Sequence, residues 1–275
     1  MTINCKGKLV DLSSPKIMGI LNLTPDSFYD GGRYKTDRQA LDQTGKMLTE
    51  GAFFIDIGGQ STRPTSTFLT AEEEKRRVIP LIDMILKEFP DTLLSVDTFY
   101  SEIAKAAVEH GAALINDISA GNLDIEMMST VAELQVPYIM MHMRGTPQTM
   151  QSNTNYTNLL QEILFYFSKK IKQARDMGIN DLLVDPGFGF SKTARQNFEL
   201  LKKLELFKSL ELPILMGVSR KSTIYKTLNI SPKEALNGTT ALHMLCLLNG
   251  ANILRVHDVK EARECLDLFL AYERA

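Results

Sequence analysis

The chain has 275 residues, 44% hydrophobic and 23% charged, which suits one large α/β domain with a buried core, or two small ones. Lys and Arg number 31 against 33 Asp and Glu, for a formal net charge of -2, and no basic stripe argues for nucleic acid. No apolar run approaches the ~18 residues of a membrane helix, and Met1 to Asp11 is too polar for a secretion signal. Cys5, Cys246 and Cys265 are odd in number and widely spaced, so they read as free thiols and the expected compartment is the cytoplasm.

Residues 1–15 form a short lead-in, in which Gly7-Lys8 between mixed runs suggests a small hairpin. Lys16 to Leu21 then reads as a strand, followed by a Gly/Pro-rich loop from Asn22 to Thr36. Asp37 is placed to cap a helix reaching Glu50. Phe53 to Ile57 is the second strand, and a polar loop from Gly58 to Leu69 follows. Thr70 with Glu73 three residues on forms a capping box, opening a helix to Phe89 in which Pro80 predicts a kink.

Leu93 to Val96 is the third strand, and Ser101 to His110 a helix ended by Gly111. Leu114 to Asn116 is the fourth strand, Ile125 to Leu134 a helix, and Pro137 to Met141 the fifth strand. A long helix from Leu159 to Met177 leads to Leu182–Val184, the sixth strand. Arg195 to Leu210 is a helix, Ile214 to Met216 the seventh strand, and helices open at Ser222 and Thr239. Ile253 to Val256 is the eighth strand and Val259 to Tyr272 the last helix. Eight strand–helix units without a composition break predict a single-domain (β/α)8 TIM barrel over residues 1–275, close to the roughly 250 residues typical of that fold. A doubly wound sheet is the alternative, but no Gly-x-Gly-x-x-Gly follows the first strand.

Ligands of such barrels sit at the carboxyl ends of the strands. Asp97, Asn116 and Asp185 stand at three of those ends and offer acceptors to a flat polar ring with adjacent N–H groups. Ser61, Thr62, Arg63, Lys221, Arg255 and His257 offer donors to an anion, with phosphate or pyrophosphate the expected class. Ser219-Arg220-Lys221-Ser222 opens a helix whose free N–H groups favour a second anion. The loop after the first strand lacks Gly-Lys-Ser/Thr, so it is not a Walker phosphate loop.

Several residues have a plainer reading beside the functional one. Arg220 reads as a structural partner ahead of a ligand, and His142 and His243 as packing histidines. Asp117 reads as a turn cap, and Asp258 as the cap of the last helix. Phe28 and Phe190 lie in Gly-rich loops and suit lids or stacking walls, whereas Met140, Met141 and Met143 suit pocket floor or core equally.

Five segments carry a resemblance. They are Asn22-Leu23-Thr24-Pro25-Asp26-Ser27-Phe28, Asp56-Ile57-Gly58-Gly59-Gln60-Ser61-Thr62-Arg63-Pro64, Asp185-Pro186-Gly187-Phe188-Gly189-Phe190, Ser219-Arg220-Lys221-Ser222 and Arg255-Val256-His257-Asp258. In this order and spacing they resemble the dihydropteroate synthase family, from about Lys16 to the C-terminus. The resemblance implies a transferase of folate synthesis. Its reaction joins 4-aminobenzoate to 6-hydroxymethyl-7,8-dihydropterin pyrophosphate, giving 7,8-dihydropteroate and pyrophosphate.

By matching positions, the resemblance implies that Asp97, Asn116, Asp185 and Lys221 bind the pterin, with Arg255 on its face. Thr62, Arg63, Arg255 and His257 would hold the pyrophosphate, with Asn22 on Mg2+. Phe28, Arg63, Pro64, Phe190, Lys221 and Ser222 would shape the aminobenzoate pocket, which is also the sulfonamide site of the family. Met141 and Gly217 complete the expected substrate contacts, and Asp97, Asp185, Lys221, Arg255 and Arg63 are the residues expected to carry catalysis. A homodimer is implied as well. Gln60 stands where many relatives carry Glu, and Thr65-Ser66 where Gly-Ala is common. The rival readings are a pterin-dependent methyltransferase, which needs no pyrophosphate site, and a catalytically silent pterin-binding paralogue.

Overall fold

The computed structural model describes residues 1–22, 33–60 and 69–275. Two short antiparallel strands, Thr2–Cys5 (β1) and Lys8–Asp11 (β2), form the expected N-terminal hairpin. The barrel strands are Lys16–Asn22 (β3), Phe54–Gly58 (β4), Leu93–Asp97 (β5), Leu114–Asp117 (β6), Tyr138–Met141 (β7), Leu182–Asp185 (β8), Leu215–Met216 (β9) and Ile253–Val256 (β10). All are parallel, in the order β8-β7-β6-β5-β4-β3-β10-β9. A parallel bridge between Val184 and Ile214, with Val184 N–H donating to the Pro213 carbonyl at 3.0 Å, closes the ring.

Helices Arg33–Thr49 (α1), Ala71–Glu88 (α2), Ser101–Glu109 (α3), Met127–Leu134 (α4), Leu159–Asp176 (α5), Ala194–Lys202 (α6), Ser222–Leu228 (α7), Leu236–Leu248 (α8) and Val259–Glu273 (α9) cover the outside. The predicted capping box at Thr70 is present: Thr70 Oγ1 accepts from Glu73 N–H, and the Glu73 carboxylate accepts from Thr70 N–H. Pro80 lies inside α2 without ending it. Asp37 is not a cap. It lies within α1, which begins at Arg33, because no Gly or Pro stands between Arg33 and Asp37 to stop the helix from extending upstream. The stretch predicted as one helix to Leu210 divides at Lys203 into α6 and a tighter 3-10 segment, Leu204–Leu210.

Alternation along each strand sorts the residues into two faces. Ile17, Ile55, Leu94, Ile115, Val184 and Leu254 point outward, into the large core beneath the helices. Met18, Phe54, Leu93, Leu114, Ile139, Leu183, Leu215 and Ile253 point inward at the starts of the strands. There they meet Ile3, Cys5, Val10 and Leu12 of the hairpin segment, so the hairpin plugs the amino-terminal end of the barrel. Asn252 Nδ2 donates to the Leu12 carbonyl at 2.8 Å, and Asn4 N–H to Asp181 Oδ2 at 3.0 Å, which ties the plug to the strand ends. Cys5, Cys246 and Cys265 are all free and buried, and burial pushes the Cys5 thiol up to about 12. Among the described residues no helix is long and apolar enough to cross a membrane.

The plug generates a prediction. Ile3→Ala opens a cavity in that apolar layer and is expected to lower unfolding free energy by about 2–4 kcal/mol, read from urea denaturation. A loss below ~0.5 kcal/mol, the range of an ordinary surface change, would mean the hairpin is not part of the core.

Candidate active site at the strand ends

Two residues further along β4, β6, β8 and β10 the inward positions are Asp56, Asn116, Asp185 and Arg255, and on β5 the inward positions after Leu93 are Ser95 and Asp97. Asp97 on β5 and Asn116 on β6 are register partners, and Gly58 on β4 pairs with Asp97. Arg255 on β10 reaches across the interior to both acidic strands. Its Nε donates to Asp56 Oδ2 and its Nη2 to Asp97 Oδ2, each at 2.6 Å. Asn116 Nδ2 donates to the same Asp56 oxygen at 3.2 Å. Asp56 is fully buried, at 0% exposure, so it forms the floor of the site. Its other oxygen has no hydrogen-bond partner among the described residues.

Charge in this cluster is held by proximity and opposed by burial. Burial pushes Asp97 up to about 7 although Arg255 pulls the other way. Burial also works against the Arg255 charge, but Asp56 and then Asp97 outweigh it and raise Arg255 above its ordinary value.

Asp185, at the end of β8, is the second anchor. Its Oδ1 accepts from Gly187 N–H at 2.7 Å, and burial raises its carboxyl, with Lys221 opposing. Gly187 has φ +72°, and a Cβ there would lie 2.0 Å from the His142 carbonyl oxygen, so only glycine fits. At Gly189, φ +85°, a Cβ would lie 2.9 Å from Lys221 Cδ. The two glycines thus let one turn touch β7 on one side and Lys221 on the other. The Lys221 ammonium donates to the Phe188 carbonyl and lies 4.6 Å from the centre of the Phe190 ring. Burial lowers it to about 8, with Asp185 countering. Gly217 leaves space between Lys221 Nζ and Arg255.

A third group stands at the rim. Ser219 Oγ is 3.0 Å from His257 Nδ1 and accepts from His257 N–H at 3.2 Å. The protein around His257 and the nearby Arg255 lower its imidazolium to about 4, so the ring is neutral at neutral pH. It is a neutral hydrogen-bonding group in the free protein, not the cation its placement suggested. Ser222 is the first residue of α7, with Lys221 at the cap position.

Other expectations resolve differently. Arg220 forks onto Asp258 with two 2.8 Å bonds and also donates to the Pro232 and Lys233 carbonyls. Asp258 precedes α9 but makes no side-chain cap bond; its carboxylate is taken by that guanidinium. Asp117 accepts from Ser119, Gly121 and Tyr138 and holds a turn. Met141 packs with Phe99, Ile118, Met143 and Met150, and Phe190 lies against that cluster, whereas Met140 faces outward. Asn22 ends β3, its Oδ1 3.2 Å from where a Gly58 Cβ would lie. Among the described residues no cluster of three His, Cys, Asp or Glu could hold a metal by itself. Phe28, Ser61, Thr62, Arg63 and Pro64 lie outside the described residues. Asp56 was overlooked as a site residue. The signal was its parity: it is two residues beyond inward Phe54 in the all-buried strand β4.

Residues 18–257 match the profile of the pterin binding enzymes. The chain is 41% identical over 268 residues to dihydropteroate synthase of Escherichia coli (strain K12), covering 97% of this chain and 94% of that one. The chain belongs to the dihydropteroate synthase family. A dihydropteroate synthase of Yersinia pestis, solved with a sulfonamide drug complex, superposes with a TM-score of 0.94 at 40% identity over 100% of both chains. That of Xanthomonas albilineans in complex with 7,8-dihydropteroate superposes with a TM-score of 0.90 at 36% identity, again over 100% of both. The barrel with polar strand ends is therefore the family's fold.

The Arg255 bridge makes a pH-dependent prediction. Arg255→Ala leaves Asp56 and Asp97 without their bonded cation, and such a loss is expected to cost about 3–5 kcal/mol. Asp97, already raised by burial, rises further. A carboxyl with a raised folded pKa loses stability as pH rises from its unfolded value, ~3.9, toward the folded one. Up to about pH 7 both proteins lose stability in parallel; above it the unaltered Asp97 is already ionised while that of the variant is not, so the deficit of the variant should grow from about pH 7 upward in denaturant titrations. A pH-independent deficit would contradict the bridge.

Proposed function

We propose that this barrel condenses 4-aminobenzoate with 6-hydroxymethyl-7,8-dihydropterin pyrophosphate, releasing pyrophosphate and 7,8-dihydropteroate. The observation that carries this reading is the polar floor, where acceptors from β5, β6 and β8 surround the Arg255 and Lys221 cations. Asp97 and Asp185, with the Asn116 amide, suit the N–H edge of a pterin. Arg255 would lie against the pterin face. Lys221, between Asp185 and Phe190, would stand where the two substrates meet, with Phe190 and Ser222 on the aminobenzoate side.

Breaking the C–O bond to pyrophosphate leaves positive charge on the pterin methylene and ring. Asp97 and Asp185 are preorganised carboxylates for that charge. The leaving group needs negative charge neutralised, a task for Thr62, Arg63, Arg255 and His257. His257 enters it as a neutral donor, and a bound pyrophosphate would raise its pKa by proximity. The amine is a weak nucleophile, but its attack on such a cation needs no general base. The Asn22 amide oxygen at the end of β3 fits Mg2+, which commonly takes one or two protein oxygens together with substrate phosphates. When bound, that ion would supply further neutralisation of the leaving pyrophosphate.

We further propose a homodimer in the cytoplasm. Leu228, Leu245, Leu248, Leu268 and Tyr272 are exposed on α7, α8 and α9, and α8 packs on both α7 and α9. Apolar exposure gathered on neighbouring helices suits a subunit interface. Sedimentation should give a dimer at micromolar concentration that weakens in Leu268→Glu; a monomer in the unaltered protein would remove this proposal.

Pyrophosphate release from the pterin substrate in magnesium buffer, with and without 4-aminobenzoate, tests the reaction. Release coupled to dihydropteroate is expected, and pterin binding without release would point to a silent paralogue. Asp185→Asn should raise the pterin KM by ~10–100-fold and leave inhibition by pyrophosphate unchanged. Equal loss of both would contradict its placement on the pterin.

A further inference from the structure

One buried cation is not used by the mechanism above. Lys192 follows the β8 turn and is 4% exposed. Its Nζ is 3.1 Å from His142 Nδ1 and donates to the Gly187 carbonyl at 3.0 Å and the Phe190 carbonyl at 3.1 Å. An ammonium has three N–H groups, and here all three have acceptors without formal charge. His142 supplies a lone pair because burial, and then Lys192 and Arg144, hold its ring well below the ordinary pKa and therefore neutral.

We propose that Lys192 is a positioning residue of the reaction, whose ammonium sets the 187–190 turn so that its outer face holds Lys221 and Asp185 where the substrates need them. The inference rests on the reading that those two residues face the pterin and the aminobenzoate. The geometry is specific. Lys192 draws the Gly187 and Phe190 carbonyls inward, on either side of Phe188. The Phe188 carbonyl between them is left to accept from Lys221, and the Phe190 ring lies beneath the same ammonium. The Gly187 N–H, in the same turn, goes to Asp185. The rear of the turn is clasped again where Ser191 Oγ accepts from Arg144 N–H at 3.0 Å and the Ser191 carbonyl from the Tyr156 hydroxyl at 3.1 Å. An apolar side chain would fill the space at Lys192, but it could not orient two carbonyls.

Burial lowers Lys192 to about 7, with Asp185 opposing and Lys221 and Arg144 adding to the shift. The charged groups that act on it are thus Asp185 at the end of β8, Lys221 before α7 and Arg144 beyond β7, with neutral His142 in direct contact. Because Lys221 titrates nearby, the test is built on binding and not on the pH profile.

Lys192→Met keeps the stem and removes the three donors. It is expected to raise KM for both substrates by ~10-fold or more, as loss of a supporting hydrogen-bond partner does, with inhibition by pyrophosphate within twofold of the unaltered enzyme. Lys192→Arg, which keeps charge and donors, should recover most of that loss. Lys221→Ala is the control. If it raises both KM values and Lys192→Met raises neither, the inference falls and the site reading stands. If neither variant changes KM, the site reading itself falls. Loss of pyrophosphate affinity in step with the substrates would mark general damage and overturn the inference. Should Lys192→Met not fold, NMR of 15Nζ-labelled lysine in the unaltered enzyme decides. A slowly exchanging ammonium signal, assigned by its absence in Lys192→Arg, must shift when pterin and 4-aminobenzoate bind. A signal that stays in place overturns the proposal.

Discussion

In the barrel interior the Arg255 guanidinium meets opposite charges largely out of reach of water. Two carboxylates share it, and one of them, Asp56, is entirely buried. A guanidinium can serve both because its donors fan out in a fixed plane, a geometry that a lysine in its place would not supply. The arrangement also leaves a task for substrate. In the free protein Asp97 is engaged by Arg255, and Lys221 by the Phe188 carbonyl. On the proposed reading, a pterin entering this mouth would exchange one set of hydrogen bonds for another and would not have to strip bare charges of water.

Everything below that floor serves to hold it still. Inward positions of the strand starts are apolar and are sealed by the hairpin, so the polar layer rests on a dry one. The outward positions of the same strands bind the helices. One alternating pattern therefore produces core, floor and mouth. A single-residue slip of any strand would exchange them.

That pattern was legible in the residues themselves. Strand ends with Asp97, Asn116 and Asp185 follow from apolar runs terminated by a polar group, and the barrel follows from eight such runs separated by helical ones. What escaped was whatever depends on contacts between distant segments. Asp56 reads as part of the second strand, Phe53 to Ile57, with no role at the site; only strand parity marks it as inward. Asp258 has the residue type and position of a cap, yet Arg220 from another loop takes its carboxylate with two bonds. His257 has the residue type of a cation, yet the Arg255 beside it and the protein around it keep it neutral. Lys192 gave no signal at all, since a lysine just before a helix usually faces solvent. Phe28, Thr62, Arg63 and Pro64 lie outside the described residues, so their roles rest on residue type and the family resemblance.

The departure at Gln60 can be understood in the same terms. Gln60 is buried beside Glu74, a fully buried carboxyl on α2 that burial raises to about 7. The Gln60 amide donates to Glu74 Oε2 at 3.1 Å, and its oxygen accepts from Leu69 N–H at 3.0 Å. One neutral side chain is thus donor to the acid and acceptor to the backbone. A glutamate in its place would set a second carboxyl against Glu74, and one of the two would have to keep its proton to make the same pair of bonds. Glutamine provides that donor at every pH. It joins residue 60 to residue 69, the two described residues that bracket the segment carrying Thr62 and Arg63. Glutamine at position 60 thus makes both bonds without adding a second titratable group beside Glu74.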